Sequence, residues 1–123
     1  MRTPTLPRLA RRVAAGASFL DRHEPGWHRR VDPDTLDAAD VGRCVLGQLF
    51  GSFEQGLAEL TACRCDEVAA YHRDPIAWTV AHGFDLDVTE SRADFLALGR
   101  AWRAELAHRR PGRHGQAGGG GCW

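Results

Sequence analysis

The spacing of apolar positions is helical along three long stretches of this chain. Leu6, Leu9, Val13, Ala17 and Leu20 fall on one face at about 100° per residue, with Arg8, Arg11, Arg12 and Arg22 opposite. This predicts an amphipathic helix from Leu6 to Arg22. Val41, Val45, Leu46, Leu49, Phe50, Phe53, Leu57 and Leu60 fit within half a circumference without alternating, so a second helix is predicted over Asp40 to Leu60. Phe95, Leu98, Trp102 and Leu106 form the inward stripe of a third, from Ser91 to Arg110, with Asp94 completing a capping pattern at its start.

The segments between are read from their punctuation. Pro25-Gly26 and Asp32-Pro33-Asp34 mark turns, with Trp27, Val31 and Leu36 as inward anchors. "TACRCD" breaks the helical pattern and reads as a loop or a frayed end. In "DPIAWTVAHGF", Asp74 suits an N-cap, Pro75 the first helical position and Gly83 a left-handed C-terminal cap, with Phe84 folding back. The expected fold is all-α, a small bundle of three longer amphipathic helices with one or two short ones. A single helical domain spans 1–110, and the glycine-rich stretch 111–123 is expected to be a disordered tail.

Composition changes this picture little. The chain has 123 residues, 43% apolar and 26% charged, as in an ordinary globular domain. Its formal net charge of zero gives no general attraction to nucleic acid or anionic lipid. All 16 basic residues are arginine, a bias that points to a GC-rich bacterium or its phage. Met1 to Leu20 is arginine-rich and free of acids, yet it lacks the apolar core of a secretory signal; the bacterial composition favours a helix of the domain over a presequence. No apolar run is long enough to cross a membrane. A cytoplasmic location with reduced cysteines is expected.

"RCVLGQLFGSF" carries the most suggestive pattern. Gly47 and Gly51 sit four apart with Cys44 and Ala58 on the side opposite the apolar arc. A phosphate loop of the Walker type would need a lysine and a preceding strand, and the glycine spacing does not fit a dinucleotide fingerprint. Interior glycines weaken a helix by about 1 kcal/mol each, so a close contact should compensate. The expectation is a thin-sided groove formed by Cys44, Gly47, Gln48 and Gly51, facing a neighbouring element or a partner chain.

The segments "LDRHEPGW", "RVDPDTLD" and "RCVLGQLFGSFEQGL", followed by "HGF" and "AWRAEL", carry a resemblance. The chain resembles a family of small actinobacterial and actinophage proteins with the pattern PGW, LD, then C-x-LGQ-x-x-G-x-[YF]. The match runs over most of residues 19–110. It implies an origin and no mechanism. Members often carry a second cysteine just before the one matching Cys44; here Val41, Gly42 and Arg43 precede it.

Candidate chemistry is sparse. Cys63, Cys65 and His72 are close in sequence and Cys44 can join them in space, but C-x-C is tighter than the usual zinc spacing. Cys122, in the tail, reads as a stray thiol. His82 before Gly83 is placed to act as a cation at a helix C-terminus. "HRD" at His72-Arg73-Asp74 lacks the asparagine, glycine loop and lysine of a kinase and is a chance match. His23, Glu24 and His28 around Trp27 read as solvated loop residues, and no nucleophile–base–orienter set is evident. Arg92, Arg103 and Arg110, with Arg100 at the edge, form a basic strip on the last helix, and Glu105 can pair with Arg109.

The expected function is therefore that of a non-catalytic helical accessory or interaction protein, with no cofactor and with a protein partner or a second copy at the glycine groove. The alternatives are a nucleic-acid-binding regulator using the arginine strip and, third, a small zinc-binding protein.

Overall fold

The computed structural model describes residues 5–62, 65–86 and 91–109. Among these the fold is all-α, and no helix is long and apolar enough to cross a membrane. Cys63, Arg110 and the 111–123 tail lie outside the described residues.

Two long helices make the frame. Helix α1 (Thr5–His23) packs along α7 (Arg92–Arg109). Leu9, Val13, Ala17 and Leu20 are fully buried, as their spacing required, and so are Leu98, Trp102 and Leu106 to within 2%. The start of α7 is held by a reciprocal capping box. Ser91 N donates to Asp94 Oδ2 (2.9 Å), and Asp94 N donates back to Ser91 Oγ (3.4 Å). Phe19 lies off the predicted face yet is also fully buried, meeting Trp78 of α6 edge-on at 5.2 Å. Helix α1 therefore buries two faces, one toward α7 and one toward α6.

The short helices fill in around this pair. After α2 (Trp27–Arg30), a long connection leads to α3 (Val45–Phe50) and α4 (Phe53–Leu60). A 3-10 turn (Asp66–Val68), α5 (Ala69–Arg73) and α6 (Pro75–Ala81) follow. The caps of α6 are those its sequence announces. Asp74 accepts from Ala77 N, and Pro75 occupies the first turn. Gly83 (φ 71°) turns the chain so that Phe84 N reaches Thr79 O and Gly83 N reaches Val80 O, the paired bonds of a Schellman motif.

A line of aromatic rings ties the elements together. Trp27 meets Trp102 edge-on at 5.8 Å, Trp102 stacks on Phe84 at 5.8 Å, and Trp78 lies between Phe84, Phe19 and Tyr71. Each such pair adds about 0.5–1.5 kcal/mol beyond simple burial. Trp102 Nε1 donates to Gly83 O (2.8 Å), fixing the turn after α6 against α7. Gly16 lets the same turn close against α1, because a Cβ there would collide with His82 O.

The predicted second helix, Asp40 to Leu60, is corrected: it is two helices with a break at Gly51-Ser52. Gly51 (φ 101°) closes α3, and Ser52 opens α4 by accepting from Gln55 N. Ser52-Phe53-Glu54-Gln55 is a capping-box sequence that an apolar wheel does not register. Upstream, Asp40 begins no helix. Its carboxylate instead accepts from Gly42 N (2.8 Å) and Arg43 N (3.1 Å) and holds a turn, leaving Val41 exposed rather than inward.

Candidate functional site

Of the four residues of the predicted groove, Cys44 and Gly47 are buried, Gln48 is half-buried and Gly51 is exposed. Cys44 is the N-cap of α3, its buried sulfur accepting from Gly47 N at 3.3 Å. Burial pushes the Cys44 thiol pKa up, so it stays protonated and unreactive at neutral pH. Gly47 is closed off by the chain itself: a Cβ there would lie 2.4 Å from Val41 O and 2.5 Å from the Gly42 carbonyl carbon. Its neighbour is the turn just upstream, so this part of the groove offers no room to another chain. Gly51 faces open space and serves as a helix terminator. The helix break removes the shared face on which a Gly47–Gly51 groove depended.

Gln48 has a definite structural task. Its Oε1 accepts from Asp32 N (2.7 Å), and its Nε2 lies within hydrogen-bonding reach of Asp32 O, Arg43 O and Thr35 Oγ1. It sews the 31–44 connection to α3. Arg103 does the same from α7, with Nε donating to Pro33 O (3.1 Å) and Nη2 to Leu36 O (2.9 Å). Two of these donors are thus engaged on backbone carbonyls, which weakens the arginine strip as a phosphate grip. Arg92 and Arg100 are exposed, and Arg110 lies outside the described residues.

With the connection fixed in this way, two adjoining recesses open between it and the start of α7. One, of about 360 Å³, is bordered by Asp34, Asp37, Arg43, Arg92, Leu96 and Arg103. The other, of about 270 Å³, has Val41, Phe53, Phe84 and Phe95 as apolar walls and Asp40, Glu54 and Asp85 as its charged groups. Ala38, Ala39 and Phe95 belong to both. Val41 and Leu96, each 56% exposed, stand at the two recesses. The Gly42 N–H first, and the pairing with Arg43 (3.1 Å) second, hold the Asp40 carboxyl below the usual carboxylate range. Glu54 and Asp85 remain as the negative groups of the smaller recess.

The cysteine–histidine set also rearranges. Cys65 does not join His72, which is exposed and makes an edge-on contact with Tyr71. Cys65 lies instead with His23 and Glu67, their ligand-capable atoms all within 4.8 Å of one another. His23 Nε2 is 2.5 Å from Glu67 Oε1, and Arg22 pairs with Glu67 Oε2. Arg22 first and His23 second hold the Glu67 carboxyl below its ordinary pKa. No sequence signal placed His23, read as a loop residue, beside Cys65, because 42 residues separate them. His82 does cap α6, its Nδ1 lying 2.8 Å from Trp78 O, but as a half-buried ring stacked on Trp78 at 4.0 Å. Burial lowers its pKa, so the ring is neutral at pH 7 and the expected cation is corrected to a neutral donor.

No family model matches the chain, and neither a curated protein nor a solved structure matches it.

Proposed function

We propose that this protein is a non-catalytic helical binding module whose working surface is the pair of recesses between the 31–44 connection and α7. The observation that supports the reading is the placement of Val41 and Leu96. Two of the large apolar side chains that the fold leaves in water stand at adjoining recesses walled by half-buried Phe53 and Phe95. Exposed apolar groups clustered around a concavity mark contact surfaces more than scattered ones do. The smaller recess joins aromatic walls to Glu54 and Asp85, a combination that suits a basic side chain flanked by an apolar residue. The partner is accordingly a protein segment presenting an arginine or lysine beside a large apolar side chain. Kinship with small actinobacterial or actinophage proteins, a cytoplasmic setting and the absence of catalysis belong to the same proposal.

The test is binding to an array of short peptides that vary in charge and apolar content, read for the wild type and for Leu96→Asp and Glu54→Lys. Both positions are exposed, so both variants should melt within about 0.5 kcal/mol of the wild type. Retention of basic–apolar peptides, lost in both variants, is expected. Retention that ignores peptide charge, or survives both substitutions, rejects this surface.

A further inference from the structure

The His23–Cys65–Glu67 cluster shares no residue with the recesses and stands apart from the reading above. We propose that His23 Nε2, Cys65 Sγ and Glu67 Oε1, the three ligand groups found together among the described residues, form a site for a zinc-class divalent ion.

The donor set selects the metal class. A thiolate and an imidazole disfavour magnesium and calcium, which take oxygen ligands, while sulfur, nitrogen and oxygen together suit zinc. Metal–ligand bonds of about 2.0–2.3 Å put tetrahedral ligand atoms about 3.3–3.8 Å apart. One ligand-capable atom from each residue already lies within 4.8 Å of the other two, and the His23 Nε2–Glu67 Oε1 contact at 2.5 Å would open by about an ångström as an ion enters between them.

Each arm is anchored independently of the ion. The His23 ring packs on Phe19 at 4.3 Å, at the end of α1. Trp78 Nε1 donates to the Glu67 backbone carbonyl (2.9 Å), and Val68 N donates to Cys65 O (3.2 Å), so the 3-10 turn presents both side chains toward α1. All three ligands are partly exposed, leaving a route for a hydrated ion. Arg22 grips Oε2 and leaves Oε1 for the metal; being 54% exposed, its charge is screened by solvent and opposes the ion weakly.

Loading balances in charge and atoms. The Cys65 thiol proton and any proton held between His23 and Glu67 go to solvent. One thiolate and one carboxylate then neutralise the divalent ion, with His23 binding as neutral imidazole. No oxidant or co-reactant is required.

The experiment is titration of the chelator-treated full chain with Zn²⁺ against a chromophoric competitor, with Co²⁺ substitution read by absorption. One ion per chain and a thiolate-to-cobalt band are expected. Cys65→Ser should abolish that band and weaken binding at least about tenfold; His23→Gln should weaken binding to a similar degree while the band persists at saturating Co²⁺. Serine is itself a good N-cap for the 3-10 turn, so loss of binding in Cys65→Ser with unchanged circular dichroism reports the ligand rather than the fold. His72→Gln should bind within about twofold of the wild type. No stoichiometric binding, wild-type affinity in Cys65→Ser, or an equal loss in His72→Gln would each overturn the site.

Discussion

Gly47→Ala sets two effects of opposite sign against each other. Alanine is favoured over glycine inside a helix by about 1 kcal/mol, so propensity alone makes the variant more stable. The added Cβ, however, would meet Val41 O at 2.4 Å, Gly42 C at 2.5 Å and Gly42 Cα at 2.8 Å, all backbone atoms that cannot rotate away. Relief requires moving the 41–42 turn. That turn is held by Phe53 N on Val41 O (2.8 Å), a bond contributing about 1 kcal/mol, and by the exposed bond of Gly42 N to Asp40 Oδ1 (2.8 Å). Backbone displacement by an overlarge side chain costs about 1–3 kcal/mol more. After subtracting the helix gain, a net loss of about 1–3 kcal/mol is expected. An unfolding entropy of about 2.1 cal/mol/K per residue gives about 0.26 kcal/mol/K for a chain of this length, so the midpoint should fall by roughly 4–12 °C. Scanning calorimetry on both proteins reads this directly. A midpoint raised by about 4 °C, the helix-propensity result, would show that the turn does not lie against Gly47, and the closed-groove argument would fail.

Gly99→Ala is the counterpart. It sits inside α7 with Arg103 Nη1 at 3.6 Å as the nearest contact, so stability should rise by up to about 1 kcal/mol, and a calorimetric loss would contradict the packing. Trp102→Phe deletes the buried bond to Gly83 O (2.8 Å) and strands that carbonyl; a loss of about 1–3 kcal/mol in urea titrations is expected, and less than 0.5 would be inconsistent. Asp21 accepts from Arg109 and from Trp27 Nε1, and chiefly through Arg109 its pKa is lowered in the folded state. The pair's contribution is therefore complete above the unfolded value, near 3.9, and lost as pH falls through the lower folded one. Asp21→Asn should cost about 0.2–1 kcal/mol at pH 7, a difference that shrinks in acid; a pH-independent difference would argue against the ion pair.

What the sequence made legible was what repeats at helical spacing or sits at a helix end. The Leu9–Leu20 face of α1, the Leu98–Leu106 part of the α7 stripe, the Asp74–Pro75 start and Gly83 finish of α6, and the Ser91–Asp94 box are local signals that the structure bears out. Phe95 of the predicted stripe, by contrast, is only half-buried, and Phe19 is buried off the predicted face. The break in the middle helix was missed because apolar residues on α3 and α4 fall on one arc whether or not the axis turns at Gly51. Ser52-x-x-Gln55 was the available signal, outweighed by the longer hydrophobic pattern. The thin glycine side did mark a close approach, but the approaching backbone is the turn at residues 41–42, too near in sequence for a wheel to suggest. The recesses and the His23–Cys65–Glu67 cluster depend on how distant segments meet, as when Arg103 reaches Pro33 across the fold. Spacing along the chain carries no record of that.

The central claim is that the working surface lies at Val41, Glu54, Phe95 and Leu96, and an NMR titration tests it most directly. The ¹⁵N-labelled protein would receive the tightest-binding basic–apolar peptide and, separately, a short DNA duplex at low salt. The account predicts peptide-induced shifts concentrated on the amides of these four residues and their neighbours, with the duplex leaving the spectrum unchanged. Shifts centred on Gly51 and Ser52, or duplex-induced shifts along Arg92 and Arg100, would contradict it.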